Sequence, residues 1–307
     1  MSYADFTYGL DLVKYVLRRG GQDGTDAAYS SDDFVNDVKG YVRRAYWDVL
    51  KYARWPFAMP TSPGIITTYA AQNVSVTGIS GASPAVVTLL NTIATSMAGR
   101  KFYMNANQSV YIIAAHTAGT NTLTLDSAYV DAHTSGGAMI YQDEYALPAS
   151  ALKIWGPLRM RGIWGRDLPV MDQPRFDEVY GGQTVVLGPG PIEAACVTRY
   201  DGNGAMMIRL APWMETAQVI EVDYTVFHDL DFTGSGSGDT PKVPRDDRVV
   251  IGDKALYDLF ADKNDDRADQ AELKAQRKLQ EMTVQYVGAQ RSQAFVKPRN
   301  SLSLGCN

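Results

Sequence analysis

The longest regular pattern in the sequence runs from Asp265 to Gln290. Apolar residues recur there at spacings of three and four, at Ala268, Ala271, Ala275, Leu279, Met282, Tyr286 and Ala289. This spacing places them on one side of an α-helix, and charged residues such as Glu272 and Lys274 fall on the other side. A helix of this kind gains most of its stability by packing its apolar side against a partner. The pattern therefore requires a second apolar surface elsewhere in the chain.

Other predicted helices supply candidate surfaces. One stripe contains Phe34, Val35, Val38, Val42, Ala45, Val49, Leu50 and Ala53, and a shorter one contains Val249, Val250, Leu256, Leu259 and Phe260. A first short helix is predicted between Tyr8 and Arg19, where Gly20 and Gly21 end it. Because these helices come from opposite ends of the chain, we expect the two ends to fold together into one helical bundle.

The middle of the chain has a different composition. Between Asn73 and Gln142 the only charged residues are Arg100, Lys101, Asp126 and Asp131. Alternating runs such as 74–77 and 122–125 are separated by turns rich in Gly, Ser, Thr and Asn, which is typical of short antiparallel strands. Residues 72–143 are therefore predicted to be an inserted β domain, either a small barrel or a sandwich.

Residues 144–244 are predicted to hold a β meander and its connections. Leu152, Ile154, Leu158 and Met160 indicate a strand pair, and residues 192–199, 205–210 and 218–227 indicate the three strands of the meander. Residues 201–204 have the sequence of a hairpin turn, and the Gly- and Ser-rich residues 232–242 are expected to be a flexible connection. The predicted fold class is α+β, divided into residues 1–71, 72–143, 144–244, the C-terminal helices 245–290 and an extended arm 291–307.

Composition excludes several classes of protein. The net charge of −5 argues against a dedicated nucleic-acid-binding site, which needs a basic surface. A run of about 18 apolar residues, which a membrane helix requires, does not occur. The first residues lack the charged and apolar segments of a signal peptide, so synthesis in the cytoplasm is expected.

The sequence also lacks a recognisable catalytic motif. No phosphate-binding loop or nucleophile elbow is present, and His116, His133 and His228 are too far apart in sequence to suggest a zinc site. The run that starts at Asp229 resembles a calcium loop, but its twelfth position is Thr240 where a glutamate is required. We therefore predict that the chain is not an enzyme and uses no metal or cofactor.

The C-terminal residues 291–307 carry three basic residues and no acidic one. They are either a disordered terminus or an arm that becomes ordered on a partner protein. In the second case the binding residues are predicted to be Phe295, Val296, Lys297, Arg299, Leu302 and Leu304.

The order of several short motifs resembles one protein family. These motifs are Trp55-Pro56-Phe57 at the end of a helix, Gly99-Arg100-Lys101 and Thr122 to Asp126 in the β insertion, Tyr145 to Pro148 after it, Gly190-Pro191, Leu210 to Pro212, Asp223-Tyr224, Ala255 to Tyr257, and the helix Asp265 to Tyr286. The resemblance covers about residues 6–290. The chain resembles the head-to-tail connector adaptor proteins of tailed bacteriophages, which form the neck ring beneath the portal.

The resemblance implies a structural virion protein that joins the portal to the tail and lines a DNA channel. It implies a homo-oligomeric ring, expected to be a dodecamer, whose C-terminal arm contacts the portal protein. The other partners it implies are a tail or neck completion protein and, by non-specific proximity, the genomic DNA; no membrane partner is implied.

Two alternatives remain open at this point. Residues 73–142 could form a carbohydrate- or receptor-binding module in which Tyr103, Tyr111, Tyr129 and Tyr141 stack on sugar rings. A virion hydrolase is the third hypothesis, since a pair of carboxylates can be assembled across a fold without a sequence motif.

Overall fold

The computed structural model describes residues 6–21, 33–106, 109–161, 166–181 and 190–288. The chain forms two compact units, one made of Met1–Thr61 with Tyr224–Asn307 and the other of Ser62–Asp223. We call them the helical unit and the β unit. The fold is mixed α+β, with many antiparallel strands and a closed six-stranded barrel.

The α-helices of the described residues are α1 Gly9–Arg19, α2 Asp33–Tyr52, α3 Gln173–Phe176, α4 Val249–Asp262 and α5 Ala268–Met282. Pro56–Ala58 and Arg245–Asp247 form 3₁₀ turns, and Asp177–Gly181 and Thr283–Gly288 form π turns. The strands are β1 Gly64–Thr67, β2 Gln72–Ile79, β3 Val86–Ile93, β4 Lys101–Met104, β5 Tyr111–His116, β6 Thr120–Leu125, β7 Gly136–Tyr141, β8 Glu144–Ala146, β9 Ala151–Ile154, β10 Leu158–Met160, β11 Asp167–Leu168, β12 Val170–Met171, β13 Ala194–Tyr200, β14 Met206–Ala211, β15 Val219–Val222 and β16 Tyr224–Val226.

The helices of the helical unit bury the apolar stripes that the sequence predicts. In α5 the buried residues are Ala271, Ala275, Leu279 and Met282, and in α2 they are Val35, Val38, Val42, Ala45, Tyr46, Val49 and Leu50. Helix α4 contacts α1, α2 and α5. Polar bonds accompany this packing: Lys254 Nζ lies 3.2 Å from Asp48 Oδ2 between α4 and α2. Helices from both ends of the chain thus share one unit.

The segment 232–242 is held by a buried carboxylate, so its prediction as a flexible connection is wrong. Asp239 is fully buried. Its carboxylate accepts hydrogen bonds from the backbone N–H groups of Phe232 at 3.1 Å, Gly234 at 2.8 Å and Leu10 at 3.3 Å. Gly234 has a φ of +73°, a conformation that glycine adopts without strain. The Gly- and Ser-rich residues therefore form a tight turn around Asp239. Through the Leu10 N–H, Asp239 also bonds to the start of α1.

Strands β2-β3-β6-β5-β4-β7 form the closed barrel, and the pairing of β7 with β2 completes it. Its interior is filled by alternate residues of these strands, including Val87, Phe102, Ile113, Leu123 and Ile140. The β structure predicted for this region is confirmed, and of the two architectures considered the barrel is the one formed. Closure leaves no free strand edge in the barrel.

The rest of the β unit contains two four-stranded sheets, in the orders β1-β15-β10-β11 and β12-β13-β14-β8. Strands β13 and β14 form the predicted hairpin, in which the Asp201 carboxylate accepts the N–H groups of Asn203 and Ala205. Residues 218–227 form strands as predicted, β15 and β16. Their predicted place as the third strand of the meander is wrong, because β15 pairs with β1 and β10 instead. Gln218 and Thr68 exchange two hydrogen bonds of 2.8 Å that align β15 with β1. Strand β10 likewise pairs with β11 and β15, so it does not form a pair with β9.

Candidate interaction surface

The outward side of α5 carries exposed apolar residues. Leu273 is 55% exposed and Val284, in the π turn after α5, is 75% exposed. They are eleven residues apart, about three helical turns, and Arg277 and Gln280 lie between them on the same side. Val284, Arg277 and Gln280 also line a shallow surface depression. Because the opposite side of α5 is buried, this exposed side is available to another protein.

The C-terminal end of α5 is fixed by polar and aromatic contacts. Tyr286 donates a hydrogen bond of 2.7 Å to Asp247 Oδ2, and Lys278 Nζ lies 2.7 Å from Asp247 Oδ1. The Tyr286 ring meets the edges of Phe57 at 5.5 Å and Trp55 at 6.5 Å between ring centroids. Burial, together with the Asp247 hydrogen bond, raises the pKa of Tyr286 to about 12. The π turn that follows α5 is therefore anchored at Tyr286.

The predicted portal-binding residues Phe295, Val296, Lys297, Arg299, Leu302 and Leu304 lie outside the described residues. So does Ala289, the last member of the predicted apolar stripe. The structure thus describes the chain as far as Gly288 and does not test the predicted arm.

Three of the four tyrosines of the sugar-binding hypothesis are buried. Tyr103, Tyr111 and Tyr141 are each less than a tenth exposed, and Tyr129 is partly buried against the barrel interior. Tyr141 stacks on Trp213, with ring centroids 5.1 Å apart and an interplanar angle of 29°. Rings that are covered by protein cannot stack on a sugar, so the three buried tyrosines give the hypothesis no support.

One buried ion cluster in the β unit was not apparent from the sequence. Asp143 is 3% exposed, and its Oδ2 lies 2.7 Å from Lys101 Nζ and 3.1 Å from Arg209 Nε. Lys101 belongs to barrel strand β4 and Arg209 to β14, so a single carboxylate connects the barrel to the second sheet. The sequence shows only two adjacent acids, and nothing in their spacing marks Asp143 as the buried one. Its neighbour Glu144 binds the exposed Arg199 at 2.9 Å.

The histidines and the cysteine seen in the structure have structural contacts. His116 Nδ1 accepts the Met97 N–H at 3.1 Å, and His228 Nδ1 lies 3.1 Å from the Tyr46 hydroxyl. Burial lowers the pKa of His228 and raises the pKa of the Cys196 thiol. Within the five described ranges, no group of three or more His, Cys, Asp or Glu side chains is arranged to hold a metal ion.

A comparison of the sequence with protein-family models and with curated proteins gave no significant match. Across the described parts of the chain, the structure contains no helix with the length and apolar character needed to cross a membrane.

Proposed function

We propose that this chain is a head-to-tail connector adaptor of a tailed bacteriophage, a structural virion protein that joins the portal protein to the tail and lines the DNA channel. The observation that carries the proposal is that helices from both ends of the chain share one unit, while the intervening residues form a β unit with a closed barrel. This is the order of parts that the resemblance implies. In the proposal α1, α2, α4 and α5 are the helical bundle of one subunit.

Two features of α5 support an assembly role. Its exposed side presents Leu273 and Val284, and apolar residues exposed in this way are typical of surfaces that become covered in a complex. Its end is anchored at Tyr286, directly before the residues proposed to reach the portal. A fixed base limits the conformations that an arm must give up on binding, which favours affinity.

The proposed assembly is a homo-oligomeric ring, a dodecamer, located at the neck of the virion. Its neighbours are the portal protein on one side and a tail or neck completion protein on the other, and genomic DNA passes through its channel without sequence recognition. The net charge of −5 for each subunit fits a channel that does not adhere to phosphate.

The first experiment is electron microscopy of the purified chain, alone and mixed with purified portal protein, and of virions labelled on this chain. Rings in either sample and label at the neck are expected. A chain that remains monomeric with portal protein, or label located elsewhere on the virion, would contradict the proposal.

The second experiment tests the exposed side of α5. The variant Leu273→Asp/Val284→Asp is expected to remain folded, because both positions face solvent, and to lose assembly. Val130→Asp is the matched control, because Val130 is 79% exposed and belongs to the β unit. Normal assembly of the double variant would show that this side of α5 is not an interface.

The arm is tested by deletion of residues 295–307. The shortened chain is expected to keep its circular dichroism spectrum and to lose portal binding. Attachment to the portal at normal affinity would exclude the arm as the contact.

A further inference from the structure

A cleft of about 280 Å³ opens between α1, α4 and α5 of the helical unit. Its floor is apolar and consists of the buried residues Leu256, Phe260 and Ala271, and the ring of Tyr15 forms one wall. The volume lies near the lower end of the range that holds small molecules, about 300 Å³. It therefore fits one or two side chains of a partner.

Local packing fixes the Tyr15 wall. Gly252 on α4 lets the ring lie against the helix backbone, since a Cβ at that position would be 2.7 Å from Tyr15 Cδ1. The Tyr15 hydroxyl donates a 2.8 Å hydrogen bond to Asp253 Oδ1, and Phe6 meets the ring edge-on at 5.3 Å. The cleft is thus built from a rigid wall and a buried floor.

The rim of the cleft is cationic. Arg19, Arg267 and Lys274 surround it, against the single carboxylate of Asp253. Arg267 is held by Asp265 at 2.6 Å. Arg19 lies over the Tyr15 ring at 5.7 Å. Arg19 and Lys274 are both exposed, and both act electrostatically on the Asp253 carboxylate. The rim therefore carries two exposed cations next to the apolar floor, and Asp253 offsets part of their charge.

We propose that this cleft binds an acidic segment of a partner protein in which a carboxylate neighbours a large apolar side chain. The Arg267 guanidinium covers the face of the Phe260 ring at 4.3 Å. The apolar side chain therefore enters over Leu256 and Ala271, where it is removed from water. The carboxylate lies at the rim between Arg19 and Lys274, where charge-assisted hydrogen bonds are stronger than neutral ones. This binding site is separate from the exposed side of α5 and does not depend on the adaptor role.

The same rim attracts phosphate, but two observations favour a protein segment over nucleic acid. First, the Asp253 carboxylate in the wall repels a phosphate group that enters the cleft deeply. A carboxylate on a flexible side chain of a peptide can instead stay at the rim. The chain as a whole is acidic, and nucleic-acid binding draws its affinity from an extended basic surface.

The test uses fluorescein-labelled peptides and the full chain, with binding measured by fluorescence anisotropy. The probe is acetyl-Gly-Asp-Phe-Asp-Gly-amide, and two comparison peptides replace both Asp by Asn or Phe by Ser. The probe is expected to bind with a Kd of about 1 mM or below, and each comparison peptide is expected to bind at least about tenfold more weakly. Equal binding of all three peptides, or no binding of the probe, would overturn the proposal.

Matched variants locate the site. Lys274→Glu and Arg19→Glu are expected to weaken probe binding about tenfold or more. Arg44→Glu is the control, because it makes the same change of charge on the exposed surface of α2 and lies outside the cleft. An equal loss in Arg44→Glu would show general charge attraction and refute the site. The final probe is a short DNA duplex, added in competition with the labelled peptide. If the duplex displaces the peptide from the unmodified chain and does not bind the Lys274→Glu variant, the cleft is a phosphate site instead.

Discussion

The hydroxyl group of Tyr141 provides a direct test of the β unit. Tyr141 is 1% exposed, and its hydroxyl has no hydrogen-bond partner among the residues that the structure describes. An unsatisfied buried polar group costs about 1–3 kcal/mol. The variant Tyr141→Phe keeps the ring that stacks on Trp213 and removes only this group. We therefore expect the free energy of unfolding to rise by about 1–2 kcal/mol.

The matched variant is Tyr145→Phe, four residues later in the same unit. The Tyr145 hydroxyl donates to the Gln142 carbonyl at 2.9 Å and accepts the Tyr69 N–H at 3.2 Å. Its removal deletes both bonds and leaves the Tyr69 N–H without this acceptor, so a loss of about 1–2 kcal/mol is expected. The two variants should thus change stability in opposite directions although the chemical change is the same.

The assay is urea unfolding followed by tryptophan fluorescence, together with hydrogen exchange of the β7 amides. Hydrogen exchange is included because a chain with two units need not unfold in one step. The higher stability of Tyr141→Phe should appear as slower hydrogen exchange of the β7 amides. Destabilisation of Tyr141→Phe by more than about 1 kcal/mol would mean that the hydroxyl makes a favourable bond, and the reasoning would be refuted.

Three further predictions concern buried charges and pH. Asp143→Asn leaves two cations without their carboxylate and should lower the free energy of unfolding by about 3 kcal/mol. The control Glu144→Gln changes an exposed ion pair and should lower it by less than about 1 kcal/mol. Equal losses for the two variants in urea unfolding would contradict the prediction. Asp239→Asn should speed hydrogen exchange of the Gly234 amide, because an amide oxygen accepts fewer of the backbone bonds, and an unchanged rate would refute the role of Asp239. Burial raises the pKa of Tyr145 from 10.0 to about 12, so its neutral form favours the folded state. This contribution to stability is present below pH 10.0 and is lost as the pH rises toward about 12. Urea unfolding over this interval should show the decline, and a flat profile would be inconsistent with it.

The helices were predictable because their signal is local. The spacing of Ala271, Ala275, Leu279 and Met282 depends only on the 3.6-residue period of an α-helix, and all four are buried in α5. The low charge and the alternation of residues 72–143 similarly indicated a β domain, since alternation follows from the two-residue period of a strand. The candidate arm at 291–307 came from charge and composition, and it remains a prediction.

The sequence by itself therefore determined where the long helices lie and that residues 72–143 are β structure, because each periodicity depends on a few neighbouring residues. Only the tertiary structure decided which strands pair, since β15 finds β1 about 150 residues earlier in the chain. It also decided which acids are buried: Asp143 meets Lys101 and Arg209, and Asp239 collects three backbone donors. The ion pairs of Asp143 and the bond between Asp239 and Leu10 join residues that are distant in sequence, and no short pattern records them. The cleft over Leu256 arises in the same way, because its floor, wall and rim come from three helices that only folding brings together.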